Sequence, residues 1–160
     1  MSPKKIAVLG AGSWGTALAK LVADKGIDTT LWARRQELAE SIEESRENRE
    51  YLPGAKLPPN LRATHDLESA LKDAEMLIVV VPTVGLRETL RAATPFIPPG
   101  IPIVSATKGI EQGSLKLVSE IFQDELPKER HASLAFLGGP SFAKEVAERI
   151  PTAVCVASED

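Results

Sequence analysis

Short apolar runs alternate along the chain with stretches whose apolar residues recur at helical spacing. Residues 6–9 (IAVL) read as a buried strand, and Trp14, Leu18 and Leu21 then repeat with the period of an amphipathic helix. This alternation predicts an α/β fold with a doubly wound, mostly parallel sheet. Further strands are predicted at 29–32, 61–63, 76–81, 103–105, 134–137 and 152–156, and further helices at 35–46, 67–72, 86–93, 115–126 and 142–149.

Three segments refine this pattern. Residues 76–81 (MLIVVV) are apolar at every position, which is typical of a parallel strand covered on both faces, and Pro82 ends the run. Residues 47–60 are rich in proline and are predicted to form a loop. Asp66 is predicted to cap the helix at 67–72. Because parallel strands end at one edge of the sheet, functional side chains are expected just after the strands.

The composition is that of one soluble globular domain over residues 1–160. Hydrophobic residues make up 43% of the chain and charged residues 26%. The formal net charge of −3 excludes bulk attraction to nucleic acid or to an anionic membrane, so neither a nucleic acid partner nor membrane insertion is expected. The apolar run at 6–9 is too short for a secretory signal core or a membrane span.

Cys155 is the only cysteine of the chain. It allows no intramolecular disulfide, which fits a reducing compartment, and a cytoplasmic protein is therefore expected. Its apolar neighbours favour a buried small hydrophobic side chain over a nucleophile. The two histidines, His65 and His131, stand apart from any cysteine or metal-binding motif, so no metal site is expected.

A glycine-rich motif, GAGSWG at 10–15, follows the first strand and opens the first helix. Alone the G-x-G-x-x-G spacing is a weak signal, but strand, motif, helix and second strand together form the Rossmann arrangement for dinucleotides. Gly10 permits the tight turn, Gly12 lets the backbone approach a pyrophosphate, and Gly15 lets the helix pack on the strand. Free N–H groups at the helix start then face the phosphates. The rival phosphate loop requires a Gly-Lys-Ser/Thr ending that this segment lacks.

The residues after the second strand predict which dinucleotide binds. NAD sites usually hold Asp or Glu there, on the ribose hydroxyls, whereas this chain has Arg34 and Arg35. An arginine can form two hydrogen bonds with a 2′-phosphate and can stack on adenine. NADP is therefore the favoured cofactor, and NAD stays open. The alternative, two arginines that only keep the surface soluble, is weakened because cations at a helix start oppose its dipole.

Two more segments after strands carry candidate ligand contacts. Lys108 follows the strand at 103–105 and would place an ammonium at the same sheet edge. Gly139 and Ser141 lie between a predicted strand and a predicted helix, where the Ser141 hydroxyl and the first N–H groups of the helix can hold an anion or a carbonyl. A solvent-exposed lysine and an ordinary helix cap are the structural alternatives.

Several of these segments occur in an order that resembles one family. They are GAGSWGTAL at 10–18, WAR at 32–34, YLPG at 51–54, TKGIE at 107–111 and GPSFA at 139–143. Together they resemble bacterial NAD(P)-dependent glycerol-3-phosphate dehydrogenase over nearly the whole chain. The resemblance implies interconversion of dihydroxyacetone phosphate and sn-glycerol 3-phosphate with NAD(P)H, in glycerophospholipid synthesis.

The resemblance also implies roles for individual residues. Tyr51 is expected near the adenine end of the cofactor. Lys108 is expected to contact both cofactor and substrate. Gly139 and Ser141 are expected to contact substrate. The remaining cofactor contacts that the resemblance implies are Ser13, Trp14, Arg34, Arg35 and Ala143.

In the family, the general acid–base lysine and the groups that bind the substrate phosphate belong to a helical C-terminal domain. No candidate for them is found in this chain, so we expect the cofactor domain of a longer enzyme, with no catalytic acid–base residue of its own. A homodimer is a further expectation for that enzyme. Two alternatives stay open: the cofactor domain of another two-domain dehydrogenase, such as a ketopantoate reductase, and a non-enzymatic dinucleotide sensor.

Overall fold

The computed structural model describes residues 3–159, and that part of the chain forms seven strands and six α-helices. The strands are β1 (Lys5–Leu9), β2 (Asp28–Trp32), β3 (Leu61–Thr64), β4 (Met76–Val79), β5 (Ile103–Ser105), β6 (Leu134–Gly138) and β7 (Cys155–Ser158). The helices are α1 (Ser13–Asp24), α2 (Gln36–Ser45), α3 (Leu67–Leu71), α4 (Thr83–Ala93), α5 (Val118–Glu125) and α6 (Ala143–Ala147). None of the helices within residues 3–159 combines the length and the apolar character needed to cross a bilayer.

The seven strands form one sheet in the order β3-β2-β1-β4-β5-β6-β7. All neighbouring pairs are parallel except β6 and β7. In the middle, Leu9 of β1 pairs with Trp32 of β2 on one side and with Val79 of β4 on the other. The chain moves outward from β1 through β2 and β3 and then returns to its other side with β4, which opens a crevice between the ends of β1 and β4. The predicted doubly wound, mostly parallel α/β sheet is confirmed.

Helices cover both faces of the sheet, and alternate residues of β1 face the two layers. Ile6 and Val8 pack in the layer formed with α1 and α2, whereas Ala7 and Leu9 pack in the layer formed with α3, α4 and α5. All four are almost completely buried. This two-sided burial explains why residues 6–9 are apolar without alternation.

Several element boundaries differ from prediction: α4 begins at Thr83 rather than at residue 86, and α6 covers Ala143–Ala147 rather than residues 142–149. Two further differences, in α5 and β4, have local reasons. α5 begins at Val118 rather than at residue 115, because Leu115 has a left-handed φ of +58° and Ile110 bridges to Leu117 before the helix starts. The N–H of Leu117 then donates to Oε2 of Glu120 at 2.8 Å and opens the helix. β4 ends at Val79 rather than at residue 81, because β1 turns away after Leu9 and leaves no strand for those residues to pair with.

The last strand and its cysteine also differ from prediction. β7 covers Cys155–Ser158 rather than residues 152–156, and it runs antiparallel to β6. All four of its residues are exposed, and none of them belongs to a hydrophobic core cluster of the described residues. The prediction that Cys155 is buried is therefore wrong.

Candidate functional site

A cleft opens at the carboxyl edge of the sheet, where β1 and β4 diverge. Its volume is about 560 Å³, which lies in the range of small-molecule and cofactor sites. The turn after β1 and the segments that follow β2, β4, β5 and β6 form its walls. The cleft is lined by all but one of the predicted site residues, namely Gly10, Gly12, Ser13, Trp14, Gly15, Arg34, Arg35, Lys108, Ser141 and Ala143.

The turn after β1 requires glycine at two positions. Gly10 has φ +118°, and a Cβ there would lie 2.5 Å from the carbonyl oxygen of Val80. A Cβ on Gly15 would lie 1.8 Å from the carbonyl oxygen of Gly10, so only glycine lets α1 start this close to the turn. Gly12 differs, because nothing lies within 4 Å of the position its Cβ would take. The backbone at Gly12 is therefore open to close approach by a ligand.

The start of α1 is well suited to an anion. Gly12 is its N-cap residue, and no side chain caps the first N–H groups of this 12-residue helix. Such N–H groups have no partner within the helix, and the helix dipole adds positive partial charge at the same end. Because Gly12 and Ser13 line the cleft, these groups can bind a phosphate there.

The two arginines after β2 both line the cleft but differ in their partners. Nη2 of Arg35 lies 2.6 Å from Oε2 of Glu50. This hydrogen bond is the main reason that the pKa of Glu50 is held below its ordinary value. Arg34 forms no hydrogen bond or ion pair with any residue between 3 and 159, and its Nη1 lies beside Gly85 at the start of α4. Tyr51, which follows Glu50, also lines the cleft.

The ammonium of Lys108 joins two segments that follow neighbouring strands. Nζ lies 3.1 Å from Oγ of Ser141, and 3.3 and 3.4 Å from the carbonyl oxygens of Gly139 and Ser141. It also lies 5.2 Å from the ring centroid of Trp14, in a cation–π contact. Gly139, which does not line the cleft, is thus linked to it through Lys108. The fold brings these residues together across 31 and 33 positions of sequence.

The predicted cradle at Ser141 is wrong in its helical part. α6 begins at Ala143 with Phe142 as its N-cap residue, and it has only five residues. Ser141 therefore precedes the helix and does not cap it. Its hydroxyl faces Lys108 instead, so this edge of the cleft offers a cation beside a hydroxyl group, which together can bind a carbonyl oxygen or an alcohol.

Trp14 lines the cleft and leaves one buried polar atom unpaired within residues 3–159. Its indole Nε1 is buried and has no hydrogen-bond partner among the described residues. A buried N–H without an acceptor is unfavourable, and this one belongs to a side chain that lines the cleft. The open backbone at Gly12 and the uncapped start of α1 fit a dinucleotide, whereas the buried N–H of Trp14 is not exposed to the cleft.

Asn48 does not line the cleft but holds two segments beside it together, a role that sequence reasoning missed. Its buried side chain donates from Nδ2 to the carbonyl oxygen of Ala11 and to Oγ1 of Thr16, both at 2.8 Å. Its Oδ1 accepts the N–H of Tyr51 at 3.1 Å. Asn48 therefore fastens the loop at 46–57 to the glycine turn. These contacts cross 37 and 32 positions of sequence, and no local pattern signals them.

The comparisons with known proteins agree with this geometry. Residues 5–160 match the family model described as the NAD-dependent glycerol-3-phosphate dehydrogenase N-terminus. A glycerol-3-phosphate dehydrogenase (NAD(P)+) from Leptospira biflexa is 49% identical over 98% of this chain and 47% of its own length. One from Geobacter sp. strain M21 is 50% identical over 97% of this chain and 46% of its own length.

A solved structure gives the same result. The crystal structure of glycerol-3-phosphate dehydrogenase from Coxiella burnetii superposes with a TM-score of 0.88 at 36% identity, and the match covers 98% of this chain and 47% of that one. This chain spans about half the length of the curated relatives it matches. The resemblance found in the sequence motifs is confirmed, and the chain belongs to the family of NAD-dependent glycerol-3-phosphate dehydrogenase N-terminal domains.

Proposed function

We propose that this chain binds NAD(P)H in the cleft and forms the cofactor-binding domain of a glycerol-3-phosphate dehydrogenase, which interconverts dihydroxyacetone phosphate and sn-glycerol 3-phosphate. The observation that carries the proposal is the uncapped start of α1 beside Gly12. It lies in the cleft between the ends of β1 and β4, where the strand order of the sheet reverses and where such folds bind nucleotides. The names of the relatives, which include NAD(P)+, support the same class of cofactor.

NADP is the preferred cofactor in this proposal. Arg34 lines the cleft and pairs with no described residue, so its guanidinium is available to a 2′-phosphate. The segment after β2 holds no acidic residue in the position where NAD sites usually bind the ribose hydroxyls. NADH is expected to bind too, with lower affinity.

The chain's own residues bind and orient the substrate. When bound, the nicotinamide supplies the hydride for the ketone carbon. Lys108 holds positive charge where the ketone oxygen becomes negative, and the Ser141 hydroxyl can donate a hydrogen bond to the same oxygen. The Trp14 ring and the carbonyl oxygen of Gly139 keep the ammonium of Lys108 in place.

The test is a titration of the 160-residue chain with NADPH and, separately, with NADH, followed by tryptophan fluorescence. Trp14 and Trp32 both line the cleft, so binding is expected to change their emission. NADPH is expected to bind more tightly, and Arg34→Ala to bring its affinity within about threefold of that for NADH. Arg62→Ala is the matched control, because that arginine lies on β3 and pairs with Glu43 outside the cleft.

No response to either nucleotide, checked by calorimetry, would contradict the proposed site. An NADPH preference that survives Arg34→Ala would contradict only the role of that arginine. Because the groups that bind the substrate phosphate are expected in another domain, the substrate class is tested on the full-length enzyme, which is expected to reduce dihydroxyacetone phosphate and not ketopantoate. A non-enzymatic sensor would respond to neither. Steady-state NADPH oxidation by these 160 residues would contradict the assignment of the acid–base lysine to another domain.

A further inference from the structure

The cleft presents two arginines, and only one of them is neutralised by a carboxylate. Arg34 pairs with no residue among those described, so its full charge faces the cleft. Arg35 donates to Glu50 at 2.6 Å, and the two side chains are 49% and 48% exposed. A surface ion pair of this kind contributes little to stability. The main effect of the pair between Arg35 and Glu50 is to reduce the positive charge that Arg35 presents to a ligand in the cleft.

The fold places Glu50 opposite Arg35. The loop that carries Glu50 is held by Asn48, whose carbonyl oxygen accepts the N–H of Leu52 at 2.8 Å and whose Oδ1 accepts the N–H of Tyr51 at 3.1 Å. Asn48 is itself completely buried and bonded to the glycine turn. The backbone on both sides of Glu50 is therefore fixed relative to the cleft, so its meeting with Arg35 follows from the fold.

We propose, on the basis of the function proposed above, that Glu50 is a specificity-determining residue that limits the preference for a 2′-phosphorylated nucleotide by keeping Arg35 occupied. A 2′-phosphate must compete with the Glu50 carboxylate for the guanidinium, whereas a ribose with free hydroxyls need not. Many NAD sites place an acidic residue directly at the end of the second strand. In this chain the acidic residue comes from a loop 15 positions after Arg35 and acts through that arginine.

The test compares NADPH and NADH binding to the 160-residue chain and to its Glu50→Gln variant. Losing the carboxylate returns a positive charge to the cleft, so the Kd for NADPH is expected to fall about three- to tenfold, while the Kd for NADH changes by less than about twofold. The gain is expected to shrink as salt is added. Glu44→Gln, an exposed position on α2, removes the same charge away from Arg35 and is expected to change neither Kd.

A second comparison tests the route through Arg35. In an Arg35→Ala chain, Glu50→Gln is expected to add nothing to NADPH affinity. Thermal unfolding shows first that each variant is folded. The inference is overturned if Glu50→Gln leaves the ratio of the NADPH and NADH Kd values unchanged or tightens the binding of both nucleotides equally. It is also overturned if Glu50→Gln tightens NADPH binding by the same factor in the Arg35→Ala chain. If the wild-type chain binds neither nucleotide, the proposed function fails and this inference fails with it. If the wild-type chain binds both nucleotides and Glu50→Gln leaves their Kd ratio unchanged, this inference alone fails.

Discussion

Each glycine of the turn after β1 satisfies a different constraint. Gly10 adopts a positive φ, Gly15 meets the backbone of the turn, and Gly12 leaves open space beside the start of α1. The first two constraints belong to the fold, and the third belongs to the proposed binding of a dinucleotide. The motif spacing predicted all three from sequence, because backbone geometry of this kind is local and depends on residue type.

Gly12→Ala and Gly15→Ala are expected to separate binding from folding. Alanine caps a helix less well than glycine, so Gly12→Ala should cost about 0.5–1 kcal/mol and lower Tm by about 1–4 °C. Its methyl group would stand where a pyrophosphate approaches, so NADPH affinity should fall about tenfold or more. Gly15→Ala should cost about 3 kcal/mol and lower Tm by about 6–12 °C, because the new Cβ meets backbone atoms that cannot move aside.

Calorimetric unfolding and nucleotide titration of the two variants measure both effects. A Gly12→Ala chain that binds NADPH as the wild type does would remove that glycine from the binding site.

The contacts of Glu50 and Asn48, by contrast, could not be predicted from the sequence, because their partners lie 15 and more than 30 positions away. Only the folded loop shows that Asn48 contacts the glycine turn and that Glu50 contacts Arg35.

The element that carries Lys108 is held by ion pairs. Arg87 of α4 donates from Nε and Nη2 to the carboxylate of Glu111, at 2.7 and 2.9 Å, and also reaches Glu125 at 2.7 Å and Asp124 at 2.9 Å. The two-pronged pairing with Glu111 fixes that carboxylate in direction as well as in distance. Because Glu111 follows Lys108 by three residues, the network anchors the segment that positions the ammonium.

We expect the chain to lose stability as the pH falls below about 4.5, the ordinary pKa of a glutamate such as Glu111. Hydrogen bonds from Arg87 hold the pKa of Glu111 below that value in the folded chain. Such a group contributes stability that is complete above the unfolded pKa and is lost as the pH falls through the folded pKa. Arg87→Gln should make this loss shallower, as measured by urea unfolding across a pH series.

Arg130→Gln is the control for that series. Arg130 donates to the carbonyl oxygens of Ile97 and Pro98, at 2.7 and 3.0 Å. Carbonyl groups do not titrate, so this variant is expected to keep the wild-type dependence on pH even if it is less stable. An Arg87→Gln chain with the wild-type slope would contradict the role of the network.

For the whole molecule, the sequence was sufficient to predict the parallel sheet, but not the direction and exposure of its edge strand β7. Repeated strand and helix patterns with short connections allow few topologies, and a parallel doubly wound sheet is the common one. Nothing in residues 152–156 distinguishes a parallel strand from an antiparallel one, or a covered strand from an exposed one. That is why the direction of β7 was not predicted and the burial of Cys155 was predicted wrongly.

An apolar groove beside this edge is expected to bind a hydrophobic dye in the folded chain. The dye anilinonaphthalene sulfonate should fluoresce even when NADPH fills the cleft, and Val154→Lys should reduce that remaining emission by about half. Leu115→Lys, at an exposed position remote from the groove in sequence, is the control. No emission above background would mean that the groove is closed in solution. The groove has a volume of about 430 Å³, and its apolar lining includes Leu18, Leu21, Leu137, Val146, Ile150 and Val154.

Because Asn48 joins the loop at 46–57 to the glycine turn, an engineered change of the loop also affects the turn. A loop transplanted from a relative to change cofactor choice would replace Glu50 and Tyr51, and it would replace Asn48, whose buried amide holds the loop against the turn, at the same time. If the donor loop lacks that amide, the carbonyl of Ala11 and the hydroxyl of Thr16 lose their partner, and the recipient gains a new preference on a loosened turn. An exchange of this loop therefore needs to keep an asparagine at position 48 if the glycine turn is to stay in place.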